Sequence, residues 1–569
     1  MTEQAHRWHL AAAIGDAFSG LAGVAVSGIR KLGRRRPRRF GTVWPYFPEK
    51  MMTLPGRAGL MMGFAIFCFL YGAAFALFAP FLVVPLIGLL VPLAFLVIWT
   101  IPEIANPPVR LLEVLFFAYF PVALIWPGYL AIALPGLPWI TPGRMVEVPL
   151  TLTLLICTFG SRDVRTTIAS VLAAVPWIRN LFCVFLVLQV ISIGFSSEPG
   201  ASLGNFINAQ TRWTVIFFAA CFLFAKEKRA ERMAVMLCVI AVITGLIGLW
   251  EVRLGQVPWA GHIPSFLKVE NPSVAAAFAG TDRGDVRRAQ STFGVAQGFG
   301  EFLAIVFPFL LHFVMGRYRL TIRTIASLLV PFFVIAVILS QARIGYVGYF
   351  ITVVAYPLLW GLFQWRRKSK NLFVSAIVYL SPMLAATAGF LLFAVDGIRM
   401  RIFGGGALQA STQARYDQID MGIPKVISHP WGYGIGRGAD VLGYYSPSGF
   451  LTIDSYWLRL ALEYGVVGLL VYFALFAAGI GYAARGAFFS SGPEREKGLF
   501  ISIGIVLLIY LAMKATFAQE DSQFIIFAYF GMLSALTYRC SKAADPIRDR
   551  EKKLALRPVH GPKVLAPVS

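Results

Sequence analysis

The chain has 569 residues, of which 58% are hydrophobic and only 14% charged, with a mean hydropathy of +0.70. A water-soluble fold of this length needs far more charge to cover its surface, so a set of two or three soluble domains is excluded. The net charge of +23 does not point to nucleic acid, because the lysines and arginines cluster in short loops between apolar runs. That placement is the positive-inside signature of a membrane protein, with anionic headgroups as partners.

Residues 1–57 carry "GRRRPRRF" after the weakly apolar stretch 10–29 rather than before it, the reverse of a secretory signal. They read as a basic cytoplasmic tail lying on the membrane surface. Apolar runs then predict spans at 58–78, 81–101, 111–133, 146–160, 177–196, 208–226 and 233–252, an N-terminal bundle over 58–252. An outer loop follows at 253–297. Central spans come at 298–316, 322–340, 344–363 and 372–395, making a block over 298–395. A second outer loop occupies 396–459, and spans at 460–484, 498–518 and 522–539 complete a block over 460–539. Residues 540–569 form a second basic cytoplasmic tail. The expected fold is an all-α polytopic membrane protein with about 12–14 transmembrane helices and two long extracytoplasmic loops containing short helices. With the N-terminus inside, the basic segments 226–232, 316–323, 364–370 and 492–497 all fall inside, and both termini are cytoplasmic. Cys68, Cys157, Cys183, Cys221 and Cys238 lie within apolar runs and Cys540 just past the last one; without a CxxC pair, neither a disulfide nor a zinc site is expected.

Long loops in a compact protein are usually functional or disordered. These two hold Arg253, Arg283, Arg287, Arg288, Arg399, Arg401, Arg415, Arg437 and Arg459 against the positive-inside trend. Four stretches carry chemistry. "DRGDVRRAQSTFGVAQGFGEFLA" (282–304) offers Arg287 and Arg288 as anion contacts, or as partners of Asp282 and Asp285; it lacks a metal-ligand constellation, and no metal is expected. "LSQARIGYVGYF" (339–350) joins two spans almost without a loop, placing Arg343 at the outer boundary. A guanidinium there either binds phosphate bidentately or snorkels to headgroups. "STQARYDQIDMGIPKVISHPWGYGIGRG" (411–438) reads as a short amphipathic helix, apolar at Ile419, Ile423, Val426 and Ile427, ending in a glycine-rich turn. Its His429 ends a helix or contacts substrate, and Arg437 and Arg415 are further cations. In "TIDSYWLRLALEYGVVG" (452–468), Asp454 and Ser455 read as a helix N-cap, or Asp454 as a general base beside Tyr456. Glu463, inside the membrane part, requires an interior partner.

These four pieces, in this order, resemble the O-antigen ligase and polymerase family of bacterial envelope glycan assembly. The resemblance rests on "SQARIGY", "SHPWGYGIGRG" and "DSYWLRLALEYGVVG" and covers roughly residues 280–485. The chain departs from the ligases where they carry a His ahead of the last motif: the position holds Asp454. That departure favours a polymerase of polysaccharide repeat units over a lipid-A-core ligase.

The resemblance implies a metal-independent glycosyl transfer, without cofactor, from a polyprenyl-diphosphate-linked oligosaccharide to an acceptor glycan at the outer face of the inner membrane. It also implies polysaccharide export and chain-length proteins as partners. Arg343, Arg415 and Arg288 then offset charge on the departing diphosphate. Asp454 takes the acceptor proton, and Arg287, His429, Arg437 and Tyr456 contact substrate. An O-antigen ligase acting on a lipid or protein acceptor, a lipid-linked glycan flippase and a scaffold remain alternatives. A flippase places its charges deeper in the spans, and no repeat of two corresponding halves is visible.

Overall fold

The computed structural model describes residues 62, 104, 106–132, 140–269, 282–283, 286–366, 372–394, 409–446, 449–490 and 493–555. The basic tail 1–57, the spans expected at 58–78 (Met62 apart) and 81–101, Arg399, Arg401 and the chain beyond 555 lie outside the described residues. Ten helices among those described are long and apolar enough to cross a membrane, and the protein is an all-α polytopic membrane protein.

Helix α1 (Val109–Ile125) stops before Pro127–Gly128, so the span expected at 111–133 is cut short and its end forms strand β1 (Leu130–Ile132). Helix α2 (Pro142–Gly160) starts earlier than the expected 146. Thr141 Oγ1 accepts the Arg144 N–H at 3.2 Å, and Pro142 occupies the first helical position. Helix α3 (Arg162–Ala173) escapes a hydropathy reading because Arg162, Asp163 and Arg165 make it polar on average. One stripe, Val164, Ile168 and Val171, is buried. Helix α4 (Pro176–Gly194) follows as expected. The run at 208–226 resolves into α5 (Pro199–Arg212) and α6 (Thr214–Leu223), interrupted at Trp213. Helix α7 (Arg229–Leu254) ends in a left-handed Gly255, φ +69°.

In the first outer loop, β2 (Leu267–Val269) pairs antiparallel with β1, and β3 (Asp282–Arg283) with β4 (Val286–Arg287). Among the described residues of this loop, these strand pairs are the regular elements; the short helices expected in the loops are met in the second one. Helices α8 (Ala296–Met315), α9 (Leu320–Ser340), α10 (Arg343–Trp365) and α11 (Leu372–Ala394) follow within a few residues of the expected bounds. The second loop holds α12 (Gln409–Ser428) and α13 (Gly438–Leu442), and the chain continues with α14 (Tyr456–Phe489), α15 (Glu494–Lys514) and α16 (Gln523–Ala555).

Helices α8, α15 and α16 are the most buried, and α9 lies at the periphery. α8 is buried on nearly every side, Glu301 and His312 included, as befits a central helix. Ring stacking joins the interior elements: Phe309 to Tyr529 at 4.9 Å and Trp213 to Phe527 at 5.4 Å between centroids. Helices α8 and α10 meet at backbone distance, since a Cβ on Gly345 would lie 3.3 Å from the Gly300 Cα.

The helix ends sort into two faces. At one, Arg229 pairs with Glu113, Tyr318 donates to Glu231 (3.2 Å), Arg317 pairs with Glu494 (2.6 Å) and Arg539 with Glu496. The basic segments 226–232, 316–323 and 492–497 thus gather together. The opposite face collects the loops and the start of α14. There α12 packs on α14, with Gln418 and Gly422 buried. The expected apolar stripe of α12 is split: Val426 packs beside Leu442, Leu458 and Leu462, whereas Ile419, Ile423 and Ile427 are exposed.

Candidate functional site

The site is built on a break in α14. Gly465 has φ +71° and ψ −177°, which interrupts the ladder and frees the Leu462 and Glu463 carbonyls. The glycine-rich turn after α12 supplies the missing partners. Tyr433 N–H donates to Leu462 O (2.8 Å), Gly434 N–H to Glu463 O (3.1 Å), and Val466 N–H to Pro430 O (3.2 Å). Contact this close admits only glycine, because a Cβ on Gly465 would collide with Pro430 O and one on Gly432 with Glu463 O. The "HPWGYG" and "LEYG" motifs are the two halves of one backbone clasp.

This clasp ties the second loop to α14 and sets Asp454 against α12. Gln418 Oε1 accepts the Asp454 N–H at 2.8 Å, and Arg415 Nε lies 3.7 Å from Asp454 Oδ2, an ion pair too long for a hydrogen bond. Loss of hydration pushes the Asp454 carboxyl up, and the Arg415 charge partly pulls it back. Ser455 caps α14 by accepting the Leu458 N–H at 3.3 Å. The cap is Ser455, which leaves the Asp454 carboxylate out of that role.

A second element carries Arg343. Ser340 Oγ accepts the Ala342 N–H at 3.2 Å across a turn in which Gln341 is left-handed, φ +48°, so α10 begins at Arg343 directly after α9. Ala289 N–H donates to Leu339 O (3.0 Å), which lays Arg288 beside the same turn. Both guanidiniums belong to the loop-bearing face.

The other sequence candidates have protein partners of their own. Arg287 pairs with Glu251 at 3.2 Å, both buried, and Glu251 also accepts the N–H groups of Gln290 (3.0 Å) and Ser291 (2.7 Å). Arg437 is held by Glu198 (2.8 Å) and Asp440 (3.0 Å). His429 Nδ1 meets Tyr433 Oη at 2.7 Å and lies tilted against that ring, centroids 4.4 Å apart, ending α12. Tyr456 is buried, its hydroxyl accepting from Gln523 Nε2 at 2.9 Å.

Sequence reasoning singled out Glu463 and Arg459 but passed over the charges grouped near them. Glu463 finds its interior partner in Arg459 (2.7 Å), which also pairs with Glu520 (3.3 Å). Lys514 and Glu301 form a wholly buried pair at 3.0 Å, and Arg212 lies 3.5 Å from Glu147. Ionisable residues inside apolar runs were the signal available for Glu301 and Glu147. Beside this network is a cavity of about 610 Å³ lined by Arg144, Glu147, Arg212, Arg459, Glu520 and Asp521, with Tyr119, Trp126, Tyr129 and Phe524.

Residues 328–473 match the family model described as O-Antigen ligase. The chain carries an O-antigen ligase domain. No curated protein matches the chain. The O-antigen ligase domain runs from within α9 to beyond the break in α14, so it contains Arg343, Arg415, His429, Arg437, Asp454 and Tyr456, while Arg287 and Arg288 precede it. The general function is glycosyl transfer of O-antigen ligase or polymerase type, with a lipid-linked oligosaccharide and a glycan acceptor in the membrane as its class of reactants.

Proposed function

We propose that the protein polymerises polysaccharide repeat units at the outer face of the bacterial inner membrane. It moves glycan from a polyprenyl-diphosphate-linked oligosaccharide to an acceptor sugar hydroxyl. The observation that supports this best is the Arg415–Asp454 pair ahead of α14, inside the O-antigen ligase domain and at the position where the resembling ligases carry a His. A carboxylate raised by burial is a suitable base for a hydroxyl.

In the transfer, Asp454 accepts the acceptor proton as the hydroxyl oxygen bonds to the anomeric carbon. The bond from that carbon to the phosphate oxygen breaks, and its electron pair leaves with the diphosphate. Asp454 then gives its proton to water. Arg343 and Arg288 meet the charge growing on the diphosphate, each such donor contributing about 3–4 kcal/mol. The gathering of basic segments at the opposite face supports placing that face and both termini in the cytoplasm.

The experiment is reconstitution of the full chain in proteoliposomes with lipid-linked repeat unit extracted from cells lacking the protein. A ladder of longer lipid-linked glycans is expected. Product that stays one repeat long, or that only changes leaflet, overturns the reading.

A further inference from the structure

The charged cavity beside the start of α14 is not part of the Arg415–Asp454 pair, and its composition indicates what it holds. Two of its cations, Arg212 and Arg459, are matched by carboxylates. Arg212 faces Glu147 at 3.5 Å, and Arg459 lies between Glu463 at 2.7 Å and Glu520 at 3.3 Å. Asp521 adds another negative group, set against the first turn of α8, where a Cβ on Gly298 would sit 2.9 Å from its Oδ2. A diphosphate entering here meets Glu147, Glu520 and Asp521 as well as the guanidiniums, so the cavity does not single out an anion. Hydroxyl groups both donate and accept, so a sugar satisfies guanidinium and carboxylate alike.

The remaining wall carries the rings of Tyr119, Trp126, Tyr129, Phe293 and Phe524. Trp126 is partly exposed beside Tyr129, and Tyr119 packs on Phe524 with ring centroids 5.2 Å apart. Flat apolar rings beside fixed polar groups suit the two kinds of face that a pyranose presents. The volume, about 610 Å³, is within the range of roughly 300–1,000 Å³ usual for small-ligand sites and exceeds what one ordered water or ion requires. Arg459 stands on the first turns of α14, five residues after Asp454, so the cavity adjoins the proposed base along one helix.

We propose that this cavity is the acceptor-glycan subsite: it binds the lipid-free sugar portion of the acceptor through Arg212, Arg459, Glu520 and Asp521, with Trp126 beneath a ring face. The assignment rests on the polymerase reading for the word acceptor; the sugar-binding chemistry comes from the cavity alone.

The test titrates the full chain in lipid nanodiscs with two probes. One is the oligosaccharide released by mild acid from the repeat unit that accumulates without the protein. The other is inorganic pyrophosphate. Asp521→Asn and Trp126→Ala are each expected to weaken oligosaccharide binding roughly 10–100-fold and to leave pyrophosphate binding unchanged. Thermal unfolding checks each variant, and Arg212→Gln replaces any that fails to fold. Oligosaccharide binding that survives the substitutions, or that is absent from the wild type, overturns the assignment, as does loss of pyrophosphate binding in the cavity variants. Glycan lengthening by the wild type is scored separately. If it occurs while the cavity variants bind normally, only the subsite falls; if the variants lose sugar binding but the wild type lengthens nothing, only the polymerase reading falls.

Discussion

Asp454 and Arg415 come from segments 39 positions apart that a backbone clasp holds together, and their chemistry can be tested singly. Asp454→Asn keeps the side chain's shape and the N–H bond to Gln418 while removing the base. We expect repeat-unit polymerisation in proteoliposomes to fall about 10²–10⁴-fold at unchanged membrane level. The pH dependence has a definite sign. Burial raises the Asp454 carboxyl, so the proton-accepting form appears only above the ordinary aspartate range, and the rate declines as pH falls through that raised value. Arg415 opposes the rise, so Arg415→Gln moves the acid limb of the rate profile to higher pH. An acid limb that stays in place, or moves down, removes Asp454 from the role of base. Arg437, Arg287 and His429 each have a protein partner at bonding distance.

At the scale of elements, the break in α14 is the feature on which the site depends. Gly465→Ala forces a side chain into a backbone region that costs about 1–3 kcal/mol and drives a Cβ into Pro430 O. The expected result is a lowered unfolding temperature and loss of transfer together, because the clasp that positions Asp454 opens. Gly481, further along the same helix, has open space where a methyl group would stand, with nothing within 4 Å. Gly481→Ala is expected to leave unfolding unchanged or to raise it by up to about 1 kcal/mol, since glycine weakens a helix interior. Equal effects from both substitutions, measured by thermal unfolding in detergent, count against the clasp. The short turn at Ser340–Arg343 is legible in the sequence as two spans with almost no loop. That Ser340 closes it by accepting the Ala342 N–H is visible only in three dimensions.

For the whole molecule, the buried Lys514–Glu301 pair links α15 to α8 at the centre of the bundle, both side chains fully inaccessible. Lys514→Met leaves a buried carboxylate without its cation and is expected to destabilise the fold by about 3–5 kcal/mol; the double variant with Glu301→Leu recovers most of that loss. Thermal unfolding of the three proteins checks this, and a double variant as unstable as the single one contradicts it. Amino-acid order by itself determined the membrane class and most helix positions, because apolar runs of span length have one stable environment and charge marks their ends. It also determined the family resemblance, through arginines and glycines in fixed order, and the departure from the ligases at Asp454. It did not reveal α3, whose average polarity hides a buried stripe, nor the direction of the α12 stripe, which depends on which neighbour packs there. Only the tertiary structure decided which charges meet. Ion pairs such as Arg287–Glu251 and Arg459–Glu520 join residues far apart in sequence, and loss of water on burial makes each group choose a partner by proximity in space.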